Sequence, residues 1–339
     1  MELYAGIDLH SNNNFIQIID GHDKTKFSKR LPNNVEHILT VLAPYKDQLK
    51  TIAVESTFNW YWLVDGLIDN GYKVRLANPA AIKQYEGLKH TDDRYDAFLL
   101  AHLQRLDILP TGYIYPKQDR GIRDLLRRRT MFVQQKTTHI LSLQSMISRN
   151  LGVKMPGNEI KKLTPDDAKE LFDDPNLVVM AKCNIETIHF LKMIVKQIEK
   201  VVKQRAKLRE EYEQLLTITG IGTILALTIM FEVGDIGRFE NVGNYSSYCR
   251  CVNSNRLSNG KKKGENNKKN GNRHLAWAYV EAANFMKRYC SLANAFYQHK
   301  TAKQNSIVAT KALSNKICRA SYFVMRDQVA YDAEKLFCS

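Results

Sequence analysis

Two carboxylates stand inside apolar stretches that read as strands: Asp8 follows Ala5-Gly6-Ile7, and Glu55 follows Ala53-Val54. A charge inside an apolar strand is costly unless it is paired or bound to a cation. One such residue alone would read as a strand end facing solvent, whereas two in one small sheet favour a shared ligand. Further along, Asp92, Asp93 and Asp96 fall at the start of a helical segment. Asp93 and Asp96 are three apart and share a face, while Asp92 and Asp96 are one turn apart, so spacing leaves both pairs open. An acidic first turn is also what the helix dipole favours, and that reading suits Asp92 best. Magnesium takes oxygen ligands, and two-metal sites hold ions about 4 Å apart to stabilise the attacking and leaving oxygens of a phosphoryl transfer.

A second chemical region is the polar, Gly/Asn-rich stretch 253–273. Arg256, Lys261, Lys262, Lys263, Lys268, Lys269 and Arg273 in and beside it read as phosphate contacts, with small residues between them that let a backbone approach closely. Such contacts position a nucleic acid without reading its sequence. Ser258 in the same stretch would by itself be a solvated loop hydroxyl, a weak nucleophile without a metal or base to activate it. Upstream, Gly220 and Gly222 with Ala226 have the helix–Gly-x-Gly–helix look of an element whose amides can face a phosphate; a close helix–helix turn explains them equally well. Trp60, Tyr61 and Trp62 could stack on bases, but after a core strand they read as packing. The sequence carries no zinc finger or helix-turn-helix reader.

The elements that must position these groups change character along the chain. Leu3–Leu9, Phe15–Ile19 and Lys24–Leu31 read as a three-stranded meander, Asn34–Leu49 as a helix, and Thr51–Ser56 as a compact strand. A helix over Asn59–Asn70, a strand over Lys73–Ala77, a helix opened by Pro79 and a helix over Asp92–Leu106 follow. That order predicts a mixed sheet covered on both sides. Ile122–Ile147 is helical with a basic face, and 152–180 reads as loop and short helix. Leu191, Ile194, Ile198, Val201, Leu208, Tyr212 and Leu215 then form a heptad seam, broken by Arg205, that argues for a coiled-coil or helical-hairpin arm. Helices resume at Leu275–Tyr289 and Ser306–Asp327. Three regions result: an α/β domain over 1–115, a helical arm over 116–214 and a mainly α domain over 215–339.

Fifty Lys and Arg residues against 35 Asp and Glu give a net charge of +15, which points to a polyanionic partner. No apolar run approaches the roughly 20 residues of a bilayer span, and the N-terminus lacks a secretory signal, so a cytoplasmic protein without a membrane partner is expected. None of the six cysteines forms a C-x-x-C pair, and they read as reduced, partly buried thiols.

The ordered set resembles a known family. Asp8 in Gly-Ile-Asp-Leu-His, Glu55 in Ala-Val-Glu-Ser-Thr, and Asp93-Arg94-Tyr95-Asp96-Ala97 look like the D-E-D-D pattern of the DEDD insertion-sequence transposases. That family includes the Piv-type invertases and the bridge-RNA-guided recombinases. The match continues through Thr219-Gly220-Ile221-Gly222, Glu232-Val233-Gly234-Asp235-Ile236 with Arg238-Phe239, Ser258-Asn259-Gly260-Lys261, and Lys269-Asn270-Gly271-Asn272-Arg273 with Leu275. It covers almost the whole chain. Each motif alone is weak, and the ordered set is specific.

The resemblance implies a RuvC-like, ribonuclease-H-type nuclease domain followed by a C-terminal transposase domain. It implies a composite active site in which Asp8, Glu55, Asp93 and Asp96 bind magnesium or manganese and a serine attacks the scissile phosphate to form a covalent protein–DNA intermediate. Many members carry serine immediately before the glycine of this loop; here Asn259 holds that place and Ser258 precedes it, with Ser254 as the second candidate. Implied partners are donor and target DNA, a guide (bridge) RNA, and further copies of the chain in a dimer or tetramer, associated with the nucleoid when active. The competing readings are an invertase that finds its sites by protein contacts alone, a hydrolytic RuvC-like resolvase in which Ser258 is inert, and a non-catalytic binder. The intact carboxylate quartet disfavours the last, and the match beyond residue 215 disfavours the resolvase.

Overall fold

A computed structural model describes residues 1–82, 92–206, 208–252, 256–264 and 270–338. The chain divides into two compact units, Met1–Lys117 and Gln118–Ser339.

The first unit is built on a six-stranded sheet in the order β3-β2-β1-β4-β5-β6. Strands β1 (Leu3–Leu9), β2 (Asn13–Asp20) and β3 (Thr25–Pro32) form an antiparallel meander, and β4 (Leu49–Glu55) runs parallel to β1. Strand β5 (Val74–Ala77) continues parallel to β4, and β6 (Thr111–Gly112) closes the edge antiparallel. Alternation along a strand decides what faces what. Leu3, Ala5, Ile7 and Leu9 of β1, with Ile52 and Val54 of β4, pack with Ile38 and Leu42 of α1 (Val35–Leu42) and with Leu63 and Leu67 of α2 (Tyr61–Asp69). Tyr4, Ala53 and Ala77 pack instead with Ala101, Leu100 and Leu103 of α3 (Asp93–Arg105). Both faces are thus covered, as the mixed α/β reading expects, in an arrangement consistent with a RuvC-like nuclease domain.

One local expectation is corrected, one lies mostly outside the described residues, and one strand was not anticipated. The helix expected over Asn34–Leu49 stops at Leu42 and yields to a 3-10 turn, Ala43–Tyr45, because Pro44 has no N–H to continue the ladder; Leu49 already belongs to β4. Pro79 opens a 3-10 turn, Pro79–Ala81, and the helix expected after it falls largely outside the described residues. The two-residue β6 is too short to show in the sequence pattern.

In the second unit α4 (Lys117–Leu151) and α7 (Pro175–Arg205) form a helical hairpin, joined through the short helices α5 (Gly157–Ile160) and α6 (Asp167–Leu171). Arg129 pairs with Glu199 at 2.6 Å, and His139 meets Asn184 at 3.0 Å, so the two helices run antiparallel. The expected coiled coil is not confirmed. The buried line of α7 is Ala181, Ile185, Ile188, Leu191, Val195, Ile198 and Val202, and Ile198 and Val202 pack with Leu126 of the same chain. Leu191 and Ile198 of the expected seam share that line, but α7 ends at Arg205, Leu208 is exposed, and Tyr212 and Leu215 lie on a new helix, α8 (Glu210–Leu216). Val179, Phe190 and Met193 stay on the outside of the hairpin, at 61%, 56% and 63% exposure.

Beyond the hairpin, α9 (Thr223–Val233) is buried from Leu225 to Val233 and forms the centre of a helical core. Helix α10 (Val242–Tyr248) precedes a two-stranded ribbon, β7 (Arg256–Ser258) and β8 (Lys261–Gly264). Helices α11 (Arg273–Tyr289), α12 (Ser291–Lys303), α13 (Ser306–Asp327) and α14 (Ala333–Phe337) complete the unit. No described helix is long and apolar enough to cross a membrane.

Candidate functional site

The alternation that builds the first core also aims its carboxylates. Asp8 shares its face of β1 with Tyr4 and Gly6, Glu55 shares its face of β4 with Ala53, and both face α3. Gly6 sets the approach. A Cβ there would run into the Ala97 carbonyl of α3 and stand 2.7 Å from the Ala101 nitrogen, so the helix can lie on β1 only where the strand has no side chain. Asp92 caps α3, its carboxylate accepting from the Tyr95 N–H at 2.8 Å, and Asp93 and Asp96 follow in the first turn.

All four carboxylates of the sequence reading come together. Asp8 is 3% exposed. His10 Nε2 lies 3.1 Å from Asp8 Oδ2 and 3.2 Å from Asp93 Oδ1, and Arg30 holds the other Asp93 oxygen at 2.5 Å. Asp8, His10 and Asp93 can offer ligand atoms that all lie within 4.8 Å of one another. Burial, a hydrogen bond shared with Asp8, and the charges of Asp8 and Asp96 push the Glu55 carboxyl up to about 8. Burial, followed by the charges of Asp8, Asp93 and Asp92, also pushes Asp96 up, while His10 opposes the shift. The buried oxygens Asp8 Oδ2 and Asp96 Oδ1 accept no hydrogen bond from a described residue. Carboxylates crowded as Glu55 and Asp96 are hold their protons more tightly unless a cation replaces them, and an all-oxygen set with one imidazole nearby fits a hard divalent ion.

The stretch read as a polar loop holds the β7–β8 hairpin. Ser258 pairs with Lys261 across a two-residue turn whose residues, Asn259 and Gly260, both have positive φ, at 52° and 72°. That is the type I′ geometry for which Asn-Gly is the preferred sequence. Asn259, the departure from the family pattern, is thus the residue the turn demands. Ser258, Lys261 and Lys263 are exposed, and Arg256 and Lys262 lie on the two strands. Ser254, Lys268 and Lys269 lie outside the described residues.

Gly220 has φ +93°, and a Cβ there would stand 2.5 Å from the Ala282 carbonyl and 2.8 Å from the Met286 nitrogen of α11. Close packing of the α8–α9 turn therefore accounts for it. Gly222 is exposed at the N-cap of α9. Arg273, exposed at the start of α11, lines a cavity of about 700 Å³ with Arg127, Arg128, Thr130, Gln134 and Trp277. Trp60 is buried in the first core, as packing requires.

Sequence reasoning passed over two groups at these places. His10 lies two residues after Asp8, on a motif already singled out, and only the packing of α3 against β1 brings it to Asp93. Glu232 and Asn272, 40 positions apart, are joined by a 2.7 Å hydrogen bond from Asn272 Nδ2, which no local pattern reveals.

Known proteins resemble this chain over most of its length. Residues 5–150 match a family model for DEDD transposases of the IS110 type, and residues 212–298 match one described as the transposase IS116/IS110/IS902 family. The transposase for insertion sequence element IS1328 of Yersinia enterocolitica is 24% identical over 335 residues, covering 94% of this chain and 95% of the relative. The protein y4qE of Sinorhizobium fredii, named as a transposase, is 26% identical over 215 residues, covering 63% of this chain and 52% of its own length.

Proposed function

The chain belongs to the DEDD-type insertion-sequence transposases of the IS110 family, and on that premise we propose that it cuts and rejoins DNA through a covalent phosphoserine on Ser258. Asp8, Glu55, Asp93 and Asp96 hold divalent magnesium in this reading. The observation that carries it is the convergence of four carboxylates from β1, β4 and α3, with the Glu55 and Asp96 carboxyls both pushed up by burial and by their acidic neighbours. When bound, the metal supplies positive charge to the phosphoryl oxygens. Ser258 Oγ forms a bond to phosphorus, the bond from phosphorus to one sugar oxygen breaks, and that oxygen leaves with a proton. The hydroxyl of the new partner strand then attacks the phosphoserine and releases the serine. No bond energy is lost to water, so the strands rejoin without an external energy source.

Lys261, Lys263 and Arg273 contact phosphates in this proposal, and the cavity beside Trp277 is a further seat for a nucleic-acid strand. Target choice falls to a guide RNA in this reading, as the family resemblance implies. Subunits assemble through the exposed apolar stripe of Val179, Phe190 and Met193 on α7, whose inward face the chain fills by itself.

Excision of the complete element from a plasmid in cells tests the carboxylate assignment. Asp8→Asn, Glu55→Gln and Asp96→Asn should each abolish excision while the purified proteins fold and bind DNA. Full excision with two or more of them would remove the metal site from the reaction.

A further inference from the structure

The residues on either side of the stretch that carries the serine hairpin are held by a set of polar contacts. Arg250, before the hairpin and at φ +55°, donates from Nε to the carbonyls of Asn270 and Gly271, after it, at 3.1 Å each. Lys311 Nζ donates to the Arg250 carbonyl at 2.7 Å, and Asn315 to the Cys251 carbonyl at 3.2 Å. Gly271 has φ +90°, and a Cβ there would collide with the Tyr248 carbonyl. Next to it, the Asn272 N–H donates to that same carbonyl at 2.6 Å. The Asn272 side chain also caps α11, accepting from the N–H groups of His274 and Leu275.

The other end of the Asn272 amide reaches Glu232. This carboxylate lies in the middle of the core and is 1% exposed. Arg127 of α4 grips it with Nε at 2.6 Å and Nη2 at 2.7 Å, while Asn272 Nδ2 donates to Oε2 at 2.7 Å. Burial alone would raise the Glu232 carboxyl, but the bonds and charge of Arg127 and the bond from Asn272 hold it below its ordinary value, so it is ionised.

A buried ion pair is a poor device for stability, since apolar residues of the same volume commonly do as well or better. It is a good device for register, because an anion with fixed donors tolerates few alternative arrangements. We propose that Glu232 is a positioning residue for the strand-transfer reaction, holding the root of the serine hairpin in register through Asn272 and tying it to Arg127 on the arm. This rests on Ser258 as the nucleophile. Glu232 does not touch the reacting atoms; it acts through Asn272 on residues that flank the stretch carrying Ser258.

A reversed hydrogen bond tests the idea. Asn272→Asp keeps the α11 cap but sets a carboxylate against Glu232. In the double variant Glu232→Gln/Asn272→Asp the glutamine amide donates to the new aspartate while its oxygen still accepts from Arg127. Excision of the complete element should fall about 100-fold in Asn272→Asp, the loss expected of a reacting group displaced by about 1 Å. The double variant should regain at least about tenfold of it. Hydrogen exchange on purified Glu232→Gln should rise at residues 270–275 and stay unchanged in α9 and α13.

Wild-type excision in Glu232→Gln, or a double variant no better than Asn272→Asp, would overturn the proposal. So would exchange that rises equally through α9 and α13, which would make Glu232 a core brace. Ser258→Ala, run beside these, separates the two ideas: excision that persists there refutes the nucleophile, while exchange at 270–275 still reports whether Glu232 holds the root.

Discussion

Adding one methyl group at Gly6 should separate the two halves of the carboxylate cluster without touching any of them. The Cβ of Gly6→Ala would occupy the space of the Ala97 carbonyl and lie 2.7 Å from the Ala101 nitrogen. Both neighbours are backbone of α3, so no side chain can rotate away and the helix must lift by roughly 1 Å to restore van der Waals contact. Overpacking of this kind costs about 1–3 kcal/mol. For a unit of this size that lowers its melting transition by roughly 5–10 °C. Asp93 and Asp96 would lift with α3 while Asp8 and Glu55 stay on the sheet, so affinity for manganese, read by electron paramagnetic resonance, should fall at least about tenfold. Gly21→Ala is the control, since nothing lies within 4 Å of its added methyl. A Gly6→Ala protein that melts and binds manganese like the wild type would refute the seating of α3 on β1.

Glu55 gives a pH dependence whose sign follows from its shift. Its folded value of about 8 lies above the ordinary 4.5, so its contribution to stability is present below about 4.5 and is lost as pH rises through about 8. Metal-free protein should therefore lose thermal stability across that window. Magnesium should restore it most at the alkaline end, and Glu55→Gln should flatten the curve; equal slopes with and without Glu55 would contradict this. On the arm, Phe190→Glu with Met193→Glu should lower the oligomer mass in sedimentation and leave the melting temperature nearly unchanged. Ile198→Asp, which buries an unpaired charge within the chain, should unfold the hairpin instead.

The legible parts of the molecule were those where one residue conflicts with its surroundings. Asp8 and Glu55 stood out because a charge breaks an apolar strand, and strand alternation then put both on one face. Asp92 was separable from Asp93 because capping is a local act. The arm was legible as helix, but a heptad seam does not say which surface fills it. Its line through Ile194 and Val201 lies one position off the buried line through Val195 and Val202, and since both lines repeat every seven residues the period alone does not choose between them. The hairpin under Ser258 went unseen because lysines, asparagines and glycines suggested an open loop, although Asn259-Gly260 is itself a turn signal. His10 with Asp93, and Glu232 with Asn272, depend on tertiary pairing and leave no periodic trace.

The central claim is that Ser258 forms a bond to DNA. A suicide substrate made from the ends of the element, nicked so that the leaving strand diffuses away, would trap that bond. Protease digestion and mass spectrometry would then map the modified residue. A nucleotide-linked peptide carrying Ser258, lost in Ser258→Ala and in the presence of chelator, is the expected result. An adduct on Ser254, or no adduct while Ser258→Ala still nicks DNA, would contradict it.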